Sequence, residues 1–221
     1  MTTQASKPRA AFFVDGFNLY HSLCSGEKAL AGRKLKWLDL TALFRAILSS
    51  VDPTARLTHI TYFTAYAHHL AKVAPDKITR HQAYVRALTA TGVNVVLNQF
   101  KSKDAWDSRT GTHFLTHEEK ETDVAMACAI LEGAALNQFD AAVIVSGDTD
   151  LRPVVGTFTR LHPDKRLLFA FPFDRKNREL ARLVPSSFSI GAELYAKNQF
   201  PDRVRLPSGK FVYRPKEWLR R

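Results

Sequence analysis

The sequence predicts an α/β fold built on a parallel sheet. Three short runs, at 10–14, 141–145 and 167–171, are continuously apolar, which is typical of strands that are covered on both faces. Segments with helical periodicity separate these runs along the chain, and such alternation favours a parallel sheet with helices packed on both sides. The chain has no internal repeat and no low-complexity tract that would indicate another architecture.

In the first half of the chain, strand and helix signals follow one another at short intervals. The run AAFFV ends at Asp15-Gly16, and an apolar run bounded by such a turn signal suits a buried strand. The residues after Gly16 fit a short helix that closes near Gly26. The later elements of this half are a helix at 37–48 with Asp39 near its start, a β-branched and aromatic strand at 57–63, a helix at 75–90 and a strand at 93–100.

The second half begins with a polar stretch, 101–117, that shows no clear period. We expect a long loop there, and loops of that length are often functional or mobile. The elements predicted after it are a helix at 118–136, a strand at 141–145, a helix at 151–161 with Pro153 in its first turn, a strand at 167–171, a short helix at 177–183 and a short strand at 188–190.

The charge of the chain is its unusual compositional feature. Among 221 residues, 32 are Lys or Arg and 21 are Asp or Glu, which gives a net charge of +11. Residues 197–221 alone hold eight basic and two acidic residues, with Pro-Ser-Gly at 207–209 in the position of a hairpin turn. We therefore expect a polar leader at 1–8, a domain at 9–195 and a basic, hairpin-like extension at 196–221. An excess of positive charge favours a polyanionic partner, above all a nucleic acid.

Composition also excludes several classes of protein. Hydrophobic residues make up 45% and charged residues 24% of the chain, which is ordinary for a globular protein and unlike a disordered, collagenous or coiled-coil chain. No apolar run reaches the roughly 18 residues that span a bilayer, so no membrane partner is expected. Cys24 and Cys128 are too few for a disulfide framework or a four-cysteine zinc site, and the expected location is the reducing cytoplasm.

Four aspartates fall at related positions of the predicted sheet. Asp15 follows the first strand, Asp148 and Asp150 follow the strand at 141–145, and Asp123 lies near the start of the helix that leads into that strand. Ligands of open parallel sheets bind outside the carboxyl ends of the strands, and the helix begins at that same edge. We therefore expect the four carboxylates to converge if the two strands are neighbours. Each position taken alone also suits a turn or a helix cap.

A cluster of carboxylates is unfavourable unless protons are shared or a cation is bound, since like charges oppose joint ionisation. An all-oxygen site favours Mg²⁺ or Mn²⁺ over Zn²⁺, and one or two ions are compatible with four aspartates. Such an ion can bind a phosphate oxygen, activate water and stabilise a leaving oxygen. An acidic centre within a basic protein is therefore the pattern expected of a nuclease.

Three segments carry a resemblance to a known family. The residues FFVDGFNLY at 12–20, EKETDVAMA at 119–127 and IVSGDTDL at 144–151 resemble the three motifs of NYN domains, the PIN-like ribonucleases that include the LabA-like bacterial proteins. The resemblance covers residues 8–195. It implies a PIN-like three-layer α/β/α sandwich with a central, mostly parallel sheet. It also implies metal-dependent RNA cleavage that leaves a 3′-hydroxyl and a 5′-phosphate.

The same resemblance assigns residues. Asp15, Asp123, Asp148 and Asp150 match the acidic positions of the family and would be both metal ligands and catalytic residues. Asn18 matches the asparagine of the DGxN motif, whose amide would orient a metal-bound water or a phosphate. The chain departs from the family at Glu121, where glycine is common, and in its closing segment, where Pro185-Ser186 replaces a common Ala-Asp pair.

Further residues are candidates for substrate contacts. Hydroxyls beside Asp148 can brace carboxylates or touch phosphate, turn and cap hydrogen bonds being the alternative. Cationic side chains can hold a phosphodiester, and an aromatic side chain in the 101–117 stretch can stack on an unpaired base. The predicted substrate-binding residues are Ser146, Thr149, Lys120, Arg152, Lys101, Lys103, Trp106, Lys210 and Arg214, and Arg109 could line the same path.

These observations favour a metal-dependent nuclease, most simply an endoribonuclease acting on RNA that is single-stranded or structured with unpaired regions. The alternative is an RNA-binding regulatory protein with the same fold and no significant turnover. A phosphatase of the haloacid-dehalogenase kind is disfavoured, because the first strand ends in DGFN and lacks the expected DxD pattern. The residues do not decide between RNA and DNA or between endo- and exonucleolytic cutting, and a homo-oligomer is left open.

Overall fold

A computed structural model describes residues 6–71, 73–107 and 111–219. Its main sheet has seven strands in the order β4-β3-β2-β1-β5-β6-β7, and a separate two-stranded sheet pairs β8 with β9. The strand bounds are β1 Arg9–Asp15, β2 Arg56–Ala65, β3 Asn94–Asp107, β4 Thr112–Lys120, β5 Ala141–Val145, β6 Arg166–Phe171, β7 Phe188–Ser189, β8 Arg203–Arg205 and β9 Phe211–Tyr213.

The main sheet is parallel apart from β4, which runs antiparallel to β3. The central strands are β1 and β5, and they pair in register from Ala10↔Ala141 to Val14↔Val145. All of β5 is buried, as is β1 from Ala10 onward. The continuously apolar runs of the sequence are therefore the strands covered on both faces, as predicted.

Seven α-helices cover the sheet. Their bounds are α1 Gly16–Ala29, α2 Leu40–Val51, α3 Pro75–Ala90, α4 Thr122–Ala135, α5 Arg152–Leu161, α6 Arg178–Leu183 and α7 Ala192–Lys197. Successive residues of β1 point to opposite faces. Phe12 belongs to one buried apolar cluster and Phe13 to the other, with α1, α2 and α3 on the first side and α4 and α5 on the second. The three-layer α/β/α arrangement with a mostly parallel sheet is confirmed.

The loop predicted at 101–117 is wrong. β3 pairs with β2 only as far as Asn98, then continues and pairs with β4 from Gln99↔Lys120 to Asp107↔Thr112. This two-stranded ribbon, which we call the β3–β4 arm, extends past the end of the β2 pairing. This stretch of the sequence shows no apolar alternation, so periodicity does not reveal its two strands. For the same reason the helix predicted from residue 118 begins at Thr122, since 118–120 belong to β4.

The C-terminal extension shares the core of the main domain. Val204 and Val212 are buried and lie opposite each other in the β8–β9 hairpin, packed into the apolar cluster that contains Trp37. The Trp37 indole N–H donates to the Pro201 carbonyl over 2.8 Å. Arg203, Arg205, Phe211 and Tyr213 are exposed. The predicted hairpin is thus present, with an apolar inner face and an outer face of alternating basic and aromatic residues.

Within the described residues, no helix combines the length and the apolar character that crossing a bilayer requires.

Candidate active site

Asp15 lies at the carboxyl end of β1, where the chain turns into α1. Its side chain is buried, with 6% of the residue exposed. Oδ1 accepts the Asn18 backbone N–H over 2.9 Å, which makes Asp15 the N-cap of α1, and Oδ2 accepts the Ser146 hydroxyl over 2.9 Å. Both carboxylate oxygens are therefore held in place, Oδ1 by the first turn of α1 and Oδ2 by the residue that follows β5.

The segment after β5 presents the next two carboxylates. The fully buried Ser146 accepts the Asp148 backbone N–H at its hydroxyl over 3.1 Å. Asp148 Oδ1 in turn accepts the Asp150 N–H over 3.0 Å and caps a short 3₁₀ turn, Thr149–Leu151. Asp148 is half-buried, whereas Thr149 and Asp150 are exposed. This hydrogen-bonded turn aligns Asp148 and Asp150 along the rim of the site.

Asp123 comes from the first turn of α4, which begins immediately after the β3–β4 arm. Burial and the neighbouring charges of Asp148, Asp15 and Asp150 raise the pKa of Asp123 to about 6. Each of the other three aspartates therefore lies close enough to oppose its ionisation. Carboxylates from three separate segments therefore influence one another at this edge of the sheet.

The pKa of Asp15 is raised as well. Burial is the main cause and the nearby charge of Asp148 adds to it, while the hydrogen bonds from Asn18 and Ser146 lower the pKa. Among the described residues, no three acidic, histidine or cysteine side chains converge tightly enough to form a ready-made metal cage. The four carboxylates nevertheless supply hard oxygen donors of the kind that divalent cations prefer. The chemistry of the donor set fits Mg²⁺ or Mn²⁺.

The Asn18 side chain braces the turn of the site. Its Oδ1 accepts the Gly147 N–H over 3.2 Å, and the Asn177 amide donates to the Gly147 carbonyl over 3.2 Å. A Cβ on Gly147 would collide with the Arg175 carbonyl oxygen, so only glycine fits between these partners. Asn18 therefore positions the backbone beside Asp148 by this contact. Sequence reasoning missed Asn177, which showed only as the first residue of a predicted helix and in fact caps α6.

The residue before α4 carries backbone strain. Glu121 is exposed and adopts a left-handed conformation with φ of 77°, which costs a residue with a Cβ roughly 1–2 kcal/mol. Glycine adopts this conformation freely. The glycine that is common here in the family that the sequence resembles would therefore fit the turn without strain. The turn that sets the start of α4, and with it Asp123, is thus kept at an energetic cost in this chain.

The predicted substrate contacts divide into several groups. Arg152 pairs with Glu179 over 3.0 Å at the surface, with more than half of each side chain exposed. Trp106 is 56% exposed in the β3–β4 arm, and its ring lies 4.8 Å from that of its cross-strand partner His113. Lys101 and Lys103 lie on β3 and Lys120 ends β4, but their side chains fall outside the described part of the structure, as does all of Arg109.

The two residues predicted in the tail differ in outcome. Lys210 is exposed at the turn of the β8–β9 hairpin. Arg214 is corrected: it is only 6% exposed, its guanidinium lies 3.1 Å from Asp202 Oδ1, and it donates to the Phe200 carbonyl over 2.5 Å. Because its side chain points inward next to Val212, Arg214 stabilises the base of the hairpin and does not face a substrate.

A cavity of about 280 Å³ lies beside the aspartates, between α1, the end of β2 and α3. Its lining begins at Gly16 and Phe17, directly after Asp15, and includes Tyr62, His81 and Trp218. None of the four aspartates lines it. The carboxylate edge and the cavity are therefore neighbouring but separate features of the same end of the sheet.

Three comparisons relate the chain to known proteins. A model of the NYN domain matches residues 9–188. The chain is 29% identical over 199 residues to 6-hydroxy-3-succinoylpyridine 3-monooxygenase of Pseudomonas putida, in a match that covers 77% of this chain and 61% of that protein. It therefore spans less than two thirds of that relative. A crystal structure of a Vibrio parahaemolyticus protein of unknown function matches with a TM-score of 0.53 at 17% identity, covering 86% of this chain and 96% of that one.

Proposed function

This chain belongs to the NYN domain family, whose membership implies a nuclease-like function, and from that premise we propose that it is a divalent-metal-dependent ribonuclease. The proposed site is formed by Asp15, Asp123, Asp148 and Asp150. The observation that carries the proposal is geometric: Ser146 hydrogen-bonds both Asp15 and the backbone of Asp148, so the two carboxylates lie at one edge of the sheet. Burial and then the charges of the other three aspartates raise the pKa of Asp123 to about 6. A repulsive cluster at the ligand-binding edge of a parallel sheet has a clear use if a cation is bound there.

Asp15 and Asp148 are the proposed principal ligands, with Asp123 and Asp150 beside them. When bound, Mg²⁺ or Mn²⁺ would neutralise the cluster and act as a Lewis acid toward a phosphate oxygen. The protein contributes fixed geometry: Ser146 holds Asp15 Oδ2, and the Asp150 N–H holds Asp148 Oδ1. Burial and the neighbouring carboxylates raise the pKa of Asp123 to about 6, and we propose that Asp123 accepts the proton of the attacking water. The oxygen of this water then bonds to phosphorus as the P–O3′ bond breaks, and the proton taken up by Asp123 passes to the departing 3′-oxygen, which leaves as a hydroxyl.

Two surfaces are proposed to hold the RNA. The outer face of the β8–β9 hairpin places Arg203 opposite Tyr213 and Arg205 opposite Phe211, and the Arg203 guanidinium lies 5.1 Å from the Phe211 ring centre. Arginines hold phosphates while exposed rings stack on unpaired bases. Trp106 offers a second exposed ring on the β3–β4 arm. Both surfaces suit a strand with unpaired nucleotides.

Cleavage of an end-labelled, single-stranded RNA with and without Mg²⁺ or Mn²⁺ tests the proposal. We expect Asp148→Asn to lose cleavage by at least about a hundredfold, because it removes a charged ligand. Asp76→Asn, an exposed acid in the first turn of α3, is the matched control and should cleave normally. Equal cleavage by the two variants, or full cleavage in a chelator, would overturn the assignment. Salt-dependent RNA binding without cleavage would instead support the RNA-binding alternative.

A second candidate function follows from the relative named as a monooxygenase of a succinoylpyridine. The observation that favours it is the aromatic cavity beside the aspartates, which is large enough for a single ring. Ring hydroxylation would need O₂ and a two-electron reductant, with one oxygen atom entering the ring and the other leaving as water. Incubating the protein with 6-hydroxy-3-succinoylpyridine, O₂ and a reduced nicotinamide tests it. If the unsubstituted protein and Asp148→Asn both form a hydroxylated product, this activity is separate from the proposed nuclease.

A further inference from the structure

The cavity beside the aspartate site has walls suited to a flat molecule. Tyr62 and Tyr84 pack edge to face with ring centres 6.0 Å apart, and Trp218 lies 6.3 Å from Tyr84. Both tyrosines are almost fully buried, so their rings are fixed by the surrounding core. Aromatic rings at fixed angles offer faces and edges to another ring. At about 280 Å³, the space matches a ligand of one ring with a short substituent, since drug-sized ligands occupy roughly 300–1,000 Å³.

The charged groups of the lining are all cationic. Among the described residues, the cavity is lined by Lys36, Lys77 and Arg80 and by no acidic side chain. Lys36 pairs with Glu27 and Arg80 with Glu217, each over 3.3 Å. Because a lysine has three donors and an arginine five, each keeps further N–H groups when one carboxylate is bound. The lining therefore favours a ligand with an anionic group.

A neutral polar pair completes the lining. His81 Nε2 and the Thr64 hydroxyl are 3.2 Å apart, and burial lowers the pKa of His81 to about 4. The imidazole is therefore uncharged near neutral pH, and a neutral imidazole has one donor and one acceptor nitrogen. Such a pair can hydrogen-bond the heteroatoms of a ring without adding charge.

We propose that this cavity binds a planar heteroaromatic ring that carries an anionic group. A ligand of this chemistry has two sources, which are a nucleotide unit of a nucleic acid strand and a free heteroaromatic acid. The nucleotide source rests on the proposed nuclease function, and it would place the base next to Gly16 with its phosphate toward the adjoining Asp15. The cavity would then select the nucleotide beside the cleaved bond. The free acid does not depend on cleavage.

Calorimetric titration in a chelator, which prevents cleavage, tests binding by itself. The probes are two matched pairs that differ in charge: 5′-UMP with uridine, and nicotinate with nicotinamide. We expect the anionic member of at least one pair to bind at least tenfold more tightly than its neutral partner. Tighter binding of 5′-UMP identifies the nucleotide source, and tighter binding of nicotinate identifies the free acid. Absence of binding by all four probes at millimolar concentration, or equal binding within both pairs, overturns the proposal.

Variants place the binding in the cavity. Ile78→Trp fills the cavity and should abolish binding, whereas Thr79→Trp on the exposed side of the same helix should leave it unchanged. Lys77→Gln removes an exposed cation of the lining and should weaken binding of the anionic probes about fivefold, with Lys28→Gln on α1 as its control. If Ile78→Trp binds the probes as well as Thr79→Trp does, and Lys77→Gln as well as Lys28→Gln, the binding site is not this cavity. Loss of cleavage in Asp148→Asn with probe binding intact separates this proposal from the nuclease.

Discussion

The Ser146 hydroxyl donates to Asp15 Oδ2 over 2.9 Å and accepts the Asp148 backbone N–H over 3.1 Å. One fully buried side chain thus joins the ends of the two central strands, β1 and β5. The position of Asp15 relative to Asp148 depends on this link as well as on the register of the sheet.

Replacing Ser146 with alanine should impair the site more than the fold. The Ser146 bond lowers the pKa of Asp15, so its loss should raise that pKa and move the acid limb of the pH–rate profile to higher pH. We expect cleavage to fall about tenfold or more, and the unfolding free energy to drop by roughly 1–3 kcal/mol because buried polar groups lose partners. Thr159→Ala, at an exposed hydroxyl on α5, is the control. Indistinguishable pH–rate profiles for the two variants would contradict the prediction.

The raised pKa of Asp123, about 6, predicts how stability depends on pH. The folded protein holds this proton more tightly than the unfolded chain, so the contribution of Asp123 to stability improves as pH falls from above 6 toward 4. Without divalent ions, Asp123→Asn should melt at a higher temperature than the unsubstituted protein at pH 8. The two should converge near pH 4.

Thermal unfolding at several pH values measures this effect, with Asp76→Asn as the control. Adding Mg²⁺ or Mn²⁺ at pH 8 should raise the melting temperature of the unsubstituted protein more than that of Asp123→Asn, because the ion neutralises the cluster. If Asp123→Asn is the less stable protein at pH 8, the ionised Asp123 carboxylate does not destabilise the folded protein, and the prediction fails.

Gly147 is expected to be intolerant of any side chain. Gly147→Ala would drive a Cβ into the Arg175 carbonyl oxygen, and relieving that collision requires moving backbone that carries the Asp148 turn. We expect a loss of roughly 2–4 kcal/mol in a urea unfolding experiment, in line with other severe steric changes. Gly156→Ala in α5 meets no atom within 4 Å and should stabilise by about 0.5–1 kcal/mol. Similar unfolding midpoints for the two variants would show that the backbone around Gly147 moves to accept a Cβ at little energetic cost.

The outer face of the β8–β9 hairpin should contribute to RNA affinity without supporting the fold. The double change Arg203→Glu and Arg205→Glu should weaken binding of single-stranded RNA about tenfold or more. It should also reduce the salt dependence by roughly 0.7 per lost phosphate contact. Arg33→Glu with Arg45→Glu makes the same charge change at exposed sites elsewhere. Equal weakening in the two double variants would attribute the effect to net charge alone.

Much of the fold was predictable from local sequence. The strands β1, β5 and β6 are apolar because both faces are covered, and the helix at 75–90 has the bounds expected. The β3–β4 arm was missed because its sequence shows no apolar alternation and its strands are defined by their pairing with each other. The short helix α7 was missed as well, since six residues show too little periodicity.

The candidate site was predictable in a different way. Equivalent positions after parallel strands indicated that Asp15 and Asp148 share an edge, and the pairing of β1 with β5 confirms that they do. The roles of Asn18 and Asn177 on the two sides of Gly147 depend on a loop that returns from after β6. The local sequence does not show that Asn177 lies beside Gly147. The inward orientation of Arg214 was not predictable either, because the charge pattern of a sequence does not distinguish a buried guanidinium from an exposed one.

The alternation within the β8–β9 hairpin separates two kinds of substitution. Val204 and Val212 face the core, while their immediate neighbours Arg203, Arg205 and Phe211 face water. Changes at the outer positions therefore leave the packing of the hairpin intact, whereas a polar residue at either valine would be buried in the apolar cluster. The same three-residue strands thus offer surface positions that protein engineering can vary freely and core positions that it must keep apolar.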